Sequence, residues 1–282
     1  MLWRCRGRTF DLDTRPIVMG VVNITPDSFS DGGRTLDPTL ALAHARRLSN
    51  DGADLLDLGA ESTRPGAEPV PADEQWRRLE PVIAGLVREG DACLSIDTTR
   101  SEVAERALEA GAHVVNDVTA LGDPRMASVV SQAGAGVVLM HMRGDPRTMQ
   151  RDPRYQDVTG EVRTWLAERA AGAVQVGIAG DAIALDPGIG FGKTLEHNLQ
   201  LIGRLDEIVA LGRPVLVGAS RKSFLGRLLA AEVDERLEGG LAAAAIAVFA
   251  GASIVRTHDV SATVRAVVVA AALRAARRTP VT

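Results

Sequence analysis

Two residue types are almost missing from this sequence of 282 residues, and both shortages are informative. Of its 32 basic side chains only Lys193 and Lys222 are lysines, and asparagine is confined to Asn23, Asn50, Asn116 and Asn198. A position that needs a compact ammonium rather than a planar fork resists exchange for arginine, so the two surviving lysines are candidates for such a site. Cysteine is limited to Cys5 and Cys93, neither with a Cys or His partner at ligand spacing. That excludes a disulfide framework and a zinc cage, and reads as two inert thiols in a reducing cytosol. No run approaches the roughly 18 apolar residues of a membrane-spanning helix. The first fifteen residues carry three arginines before Phe10 with no apolar run behind them, so no secretory signal is expected and the location is read as cytoplasmic. A basic excess is missing too: 32 basic against 36 acidic side chains give a net charge of −4. Neither nucleic acid nor an anionic membrane is therefore an expected partner.

What is present is a regular alternation. Apolar residues make up 46% of the chain, enough for a large core. Short Val-, Ile- and Leu-rich runs alternate with segments of 3.6-residue period. The runs 17–22, 54–58, 93–97, 113–116, 136–141, 182–186, 214–218 and 253–257 read as strands buried on both faces of a parallel sheet. Helical patterns fall between them, the first opened by an Asp37-Pro38 cap and the seventh, 224–249, interrupted. Eight such units predict an α/β fold, a single (β/α)8 TIM barrel over residues 16–282, with an open doubly wound sheet as the alternative. Residues 1–15 read as an N-terminal β-hairpin extension closing the barrel floor. The apolar excess of 241–252 and 264–272 exceeds one buried stripe and predicts a helix–helix interface.

In such a barrel the chemistry sits where the strands end. The residues at or just past those ends are Asn23, Glu61, Asp97, Asn116, His141, Asp186, Lys222 and Arg256 with His258. A single Asp at such a strand end reads as an N-cap for the next helix. Together, converging on one mouth, they read as a site. A carboxylate closing an apolar strand, such as Asp97 or Asp186, is costly without a partner. Two carboxylates, an amide and an ammonium suit a flat heterocycle with donors on one edge and an acceptor beside them. Arg256 suits stacking on a planar ring or pairing with a phosphate. The glycine-rich segments 30–33 and 186–193 would let backbone approach an anion, but neither has P-loop spacing. No catalytic triad and no permanent metal cage stands out, whereas an Mg²⁺ shared with a phosphorylated substrate needs few protein ligands.

These segments resemble one family in order. Met19-Gly-Val-Val-Asn-Ile-Thr-Pro-Asp-Ser-Phe-Ser-Asp-Gly-Gly33 resembles the first signature of the dihydropteroate synthases, and Glu61-Ser-Thr-Arg-Pro-Gly-Ala67 their second loop. Ser95-Ile-Asp-Thr98, Val115-Asn-Asp-Val118, Leu139-Met-His-Met142, Leu185-Asp-Pro-Gly-Ile-Gly-Phe-Gly-Lys193, Gly218-Ala-Ser-Arg-Lys-Ser-Phe-Leu225 and Val255-Arg-Thr-His-Asp259 continue the series. Departures are minor, such as Ala60 where a second glycine is common.

The resemblance implies a transferase that condenses 6-hydroxymethyl-7,8-dihydropterin diphosphate with 4-aminobenzoate, giving 7,8-dihydropteroate and diphosphate. It implies that Asp97, Asn116, Met140, Asp186, Lys222 and Arg256 bind the pterin. Asn23 would hold Mg²⁺, and Asn23, Thr63, Arg64, Arg256 and His258 would hold the diphosphate. Phe29, Thr63, Pro65, Phe191 and Ser223 would bind 4-aminobenzoate, and would equally meet a sulfonamide. Asp97, Lys222, Arg256, His258, Arg64 and Asp31 would be catalytic, in an SN1-like reaction needing no protein nucleophile. A homodimer through the C-terminal helices is also implied. The alternatives are a pterin-binding paralogue with little turnover and a methyltetrahydrofolate methyltransferase. The second of these lacks the Asn23 loop and the Ser220–Ser223 segment.

Overall fold

The computed structural model describes residues 1–25, 37–62, 68–90, 92–145 and 148–278. Two short strands, β1 (Leu2–Cys5) and β2 (Arg8–Asp11), form an antiparallel hairpin. Its two turn residues, Arg6 and Gly7, both have positive φ, which matches the twist of a tight hairpin. Eight parallel strands follow among the described residues: β3 (Ile17–Asn23), β4 (Leu55–Gly59), β5 (Leu94–Asp97), β6 (Val114–Asp117), β7 (Gly136–Met140), β8 (Ile183–Asp186), β9 (Leu216–Val217) and β10 (Ile254–Thr257). Each lies within its sequence-predicted run or one residue beyond it. Their order is β8-β7-β6-β5-β4-β3-β10-β9. The outer two meet at a bridge between Leu185 and Val215, where the Leu185 N–H donates to the Pro214 carbonyl at 2.8 Å. That bridge makes the sheet a barrel and rules out the open alternative.

The helices are α1 (Pro38–Asn50), α2 (Ala72–Glu89), α3 (Ser101–Glu109), α4 (Met126–Ala133), α5 (Val158–Gln175), α6 (Leu195–Gly203), α7 (Leu205–Val209), α8 (Ser223–Leu229), α9 (Leu237–Ala250) and α10 (Val260–Arg278). The Asp37 carboxylate caps α1 by accepting the Thr39 N–H at 2.8 Å, with Pro38 at the first position. The sixth helical pattern, continuous in its periodicity, divides at Gly203-Arg204 into α6 and α7. Arg204 leaves helical geometry there and binds Glu207 and Asp157.

Burial separates the strands into two alternating sets. Val18, Leu56, Ile96, Val115, Leu139, Leu185, Val217 and Val255 belong to the cluster shared with the helices. Met19, Leu55, Val114, Val138, Ala184, Leu216 and Ile254 form a second cluster inside the barrel with Trp3, Cys5 and Leu12. Period-2 alternation produces this division. The hairpin seals the lower opening: Trp3 is fully buried and its Nε1 donates to the Ala182 carbonyl at 3.0 Å. With the floor closed by apolar side chains, the interior is open to polar groups only at the carboxyl ends of the strands.

Candidate active site

Register places the mouth. Two residues beyond the floor positions Leu55, Val114, Val138, Ala184, Leu216 and Ile254 stand Asp57, Asn116, Met140, Asp186, Gly218 and Arg256, facing inward by the same alternation. On β5 the series runs from Cys93 through Ser95 to Asp97. Strand pairing sets Asn116 beside Asp97 and Met140 beside Asp186. Polar side chains thus gather toward the carboxyl ends of the strands, above a mainly apolar floor, with buried Ser95 below Asp97 on the same series.

Arg256 is the hub of these side chains. Its Nε donates to Asp57 Oδ2 at 2.6 Å and its Nη2 to Asp97 Oδ2 at 2.8 Å. Asn116 Nδ2 donates to the same Asp57 oxygen at 3.0 Å. Asp57 is wholly buried, and its Oδ1 has no hydrogen-bond partner among the described residues. Burial disfavours the Arg256 charge, but Asp57 and Asp97 outweigh it and raise the guanidinium pKa. Burial pushes the Asp97 carboxyl up to about 7; Arg256 opposes this, while Asp57, Asp117 and Glu61 add to it. An acid poised near neutrality beside a fixed cation can change charge within the working pH range.

Asp186 and Lys222 form the other half. Asp186 Oδ1 accepts the Gly188 N–H at 2.7 Å. Burial raises the Asp186 pKa, and Lys222 holds it down. Burial pushes Lys222 down to about 8, with Asp186 opposing. The Lys222 Nζ donates to the Ile189 carbonyl and lies 4.8 Å from the centroid of the half-buried Phe191 ring. His258 Nδ1 pairs with Ser220 Oγ at 3.1 Å. Asn23 is half-buried at the end of β3, opposite Gly59. Ser223 is exposed as the first residue of α8, directly after Lys222.

The strand-end reading differs from the structure in instructive ways. Glu61 is tied to its own loop, accepting from the Val70 N–H at 3.0 Å and from Gln75 Nε2 at 2.8 Å. His141 is buried against Lys193, 3.1 Å from its Nζ. Asp57 was not singled out, although Leu-Leu-Asp57-Leu carries the same signal as Asp97, a carboxylate inside an apolar strand. The glycines of 188–192 serve packing: a Cβ on Gly188 would stand 1.9 Å from the His141 carbonyl oxygen, and one on Gly192 2.6 Å from that of Arg143. Both adopt positive φ. Phe29, Asp31, Thr63, Arg64 and Pro65 lie outside the described residues.

Among the described residues no group of three His, Cys, Asp or Glu side chains could hold a metal ion. The hard donor available at the end of β3 is the amide oxygen of Asn23. Such a donor set fits a cation that takes most of its ligands from a phosphorylated substrate and water.

The family profile described as "Pterin binding enzyme" matches residues 19–258. The dihydropteroate synthase of Escherichia coli (strain K12) is 44% identical over 272 residues, covering 96% of each chain. The structure of Yersinia pestis dihydropteroate synthase with a sulfonamide drug superposes with a TM-score of 0.92 at 43% identity, over 98% of this chain and all of that one. That of Xanthomonas albilineans dihydropteroate synthase with 4-aminobenzoic acid gives 0.91 at 46% identity, over 99% of both.

The geometry makes a prediction about Asp57. Replacing its charge while keeping its shape, Asp57→Asn, removes a repulsion from Asp97 and leaves Arg256 to it alone. The Asp97 pKa is expected to fall below its value of about 7. A carboxyl carbon NMR titration of wild type and variant reads this directly, and an unmoved or higher midpoint counts against the coupling.

Proposed function

The chain belongs to the dihydropteroate synthases of folate biosynthesis, within the pterin binding enzymes, and from that premise we propose how its barrel mouth joins two substrates. The substrates are 6-hydroxymethyl-7,8-dihydropterin diphosphate and 4-aminobenzoate; the products are 7,8-dihydropteroate and diphosphate. One observation carries the reading: a buried carboxylate, Asp186, and a half-buried ammonium, Lys222, share a mouth with Asp97 and Asn116. A pterin presents that pattern in reverse. Asp186 accepts from its 2-amino group and N3, a bidentate edge suited to a carboxylate. Lys222 donates to O4 and N5, and Asn116 and Asp97 meet the opposite edge. Met140 and the anchored Arg256 enclose the ring.

In the reaction, the bond from the exocyclic methylene carbon to the diphosphate oxygen breaks first, and its electron pair leaves with diphosphate. The cation left on the pterin lies beside Asp97. At an effective dielectric of about 20, a unit charge about 4 Å away stabilises it by about 4 kcal/mol, or about three decades in rate. The amine nitrogen of 4-aminobenzoate then bonds to the methylene carbon and loses its proton to solvent. Asn23, Thr63, Arg64, Arg256 and His258 receive the diphosphate, and Asp31 is assigned to the same step by the family resemblance. An Mg²⁺ held through Asn23 would supply further charge neutralisation to that leaving group when bound. Phe191 and Ser223 are the described residues assigned to bind 4-aminobenzoate, a role the resemblance extends to Phe29, Thr63 and Pro65, and a sulfonamide would compete there.

A homodimer and a cytoplasmic location complete the reading. Ile246 and Phe249 on α9 and Val268, Val269 and Leu273 on α10 are large apolar side chains left exposed on two helices packed together. A second copy of the chain would cover them. The free thiols Cys5 and Cys93, both buried, suit a reducing compartment.

The deciding assay follows diphosphate release and dihydropteroate formation with each substrate and Mg²⁺ omitted in turn. Product is expected only when all three are present, and tight pterin binding without product would leave a pterin-binding paralogue. Asp97→Asn is expected to lower kcat on the order of 100- to 1000-fold while pterin affinity changes far less; equal losses in both would remove the cation-stabilising role. Asp97 acts ionised and Lys222 acts protonated, so kcat/KM for the pterin diphosphate should rise with pH through about 7 and fall again above about 8. A profile without the acid limb would contradict that assignment. Val268→Arg should convert a dimer to monomers in sedimentation velocity, and an unchanged oligomer would place the interface elsewhere.

A further inference from the structure

Lys193 has no place in the mechanism above, yet it is one of the two lysines the sequence retains, and it is almost completely buried. Among the described residues it makes no ion pair. Its Nζ instead meets three neutral acceptors: the Phe191 carbonyl at 2.9 Å, His141 Nδ1 at 3.1 Å and the His141 carbonyl at 3.4 Å. An ammonium has three N–H bonds and no acceptor capacity, so these three partners match its donors. Burial pushes the Lys193 pKa down to about 7, with Asp186 opposing; in the protonated form the group only donates, so His141 Nδ1 then accepts and the ring proton sits on Nε2. Burial keeps the imidazole neutral, lowering its pKa to about 3. The His141 ring is fixed from its other side by Trp165, edge to face with ring centroids 5.0 Å apart.

Each partner leads to the pterin carboxylate. The Gly188 turn packs directly on this centre: a Cβ there would lie 1.9 Å from the His141 carbonyl oxygen and 3.3 Å from the Lys193 Nζ. The Gly188 N–H is the donor that holds Asp186 Oδ1 at 2.7 Å. The His141 N–H donates to the Asp186 carbonyl at 2.9 Å. The Phe191 carbonyl, which Lys193 also holds, closes the same turn, since the Phe191 N–H donates to the Gly188 carbonyl at 3.0 Å. The Ile189 carbonyl of that turn accepts from Lys222. One ammonium therefore ties the exit of β7 to the turn that orients both Asp186 and Lys222.

We infer that Lys193 is a positioning residue for pterin recognition, whose ammonium locks the 188–192 turn and through it the Asp186 carboxylate. It touches no substrate. A guanidinium cannot replace it, because its donors lie in one plane and cannot converge on three acceptors around a single nitrogen. This inference rests on the pterin reading of Asp186 given above.

The test compares wild type, Lys193→Met and Lys193→Arg in steady-state kinetics with the pterin diphosphate, 4-aminobenzoate and Mg²⁺, with folding checked by thermal melting. Lys193→Met keeps the length and removes the donors. It should raise KM for the pterin diphosphate at least tenfold and leave kcat within about threefold, because an oriented carboxylate binds ground state and transition state alike. Lys193→Arg should raise the same KM at least fivefold, and it carries the test alone if the methionine variant does not fold. A pterin KM within twofold of wild type in either folded variant overturns the inference. So does a fall in kcat at unchanged KM. Failure of wild type itself to bind the pterin would instead overturn the underlying reading, so the two failures are distinguishable.

Discussion

Everything at the barrel mouth depends on one constraint: charges taken out of water must find each other. Asp57, Asp97 and Asp186 are buried toward the carboxyl ends of the strands, with Lys222 and Arg256 between them and Lys193 behind. A lone carboxylate in this position would be neutralised or would unfold its surroundings. Arg256 makes the arrangement tolerable by bonding Asp57 and Asp97 at once. Such a cluster is a poor source of stability compared with apolar packing of the same volume. The apolar floor beneath it and the helix-facing cluster around it supply the packing that holds it in place.

The same constraint prepares the chemistry. Desolvation that raises Asp97 to about 7 also makes its charge count for more when it faces a cation. Asp186 and Lys222 hold opposite charges in place before any ligand arrives, so little reorganisation is left for binding. Behind them, the Gly188 turn and the Lys193 ammonium convert backbone packing into side-chain orientation. Recognition and reaction therefore share one electrostatic layer, which the closed barrel shields from water on all sides but one.

Much of this was legible in the sequence because strand alternation and strand ends are written in residue order. The eight strands, the hairpin and the broken seventh helix follow from apolar period and turn residues. What was hidden depends on partners distant in sequence. Asp57 looked like one polar residue within a strand, since its partner Arg256 lies 199 residues away. His141 stood at a strand end like its neighbours, but burial against Lys193 turned it into a brace. The glycines of 188–192 carried the signal of an anion loop, while the His141 and Arg143 carbonyls are what require them. The break at Arg204 leaves no trace in the apolar period, because Leu201, Ile202, Leu205 and Ile208 stay buried across it.

The central claim is that Asp57 and Arg256 act as one unit in preparing the mouth. A double-mutant cycle with Asp57→Asn and Arg256→Gln, read as affinity for the pterin diphosphate, measures that most directly. The account predicts a coupling of roughly 1–3 kcal/mol, the second substitution costing much less once the first is present. Losses that simply add would mean that the two residues act separately, and would contradict it.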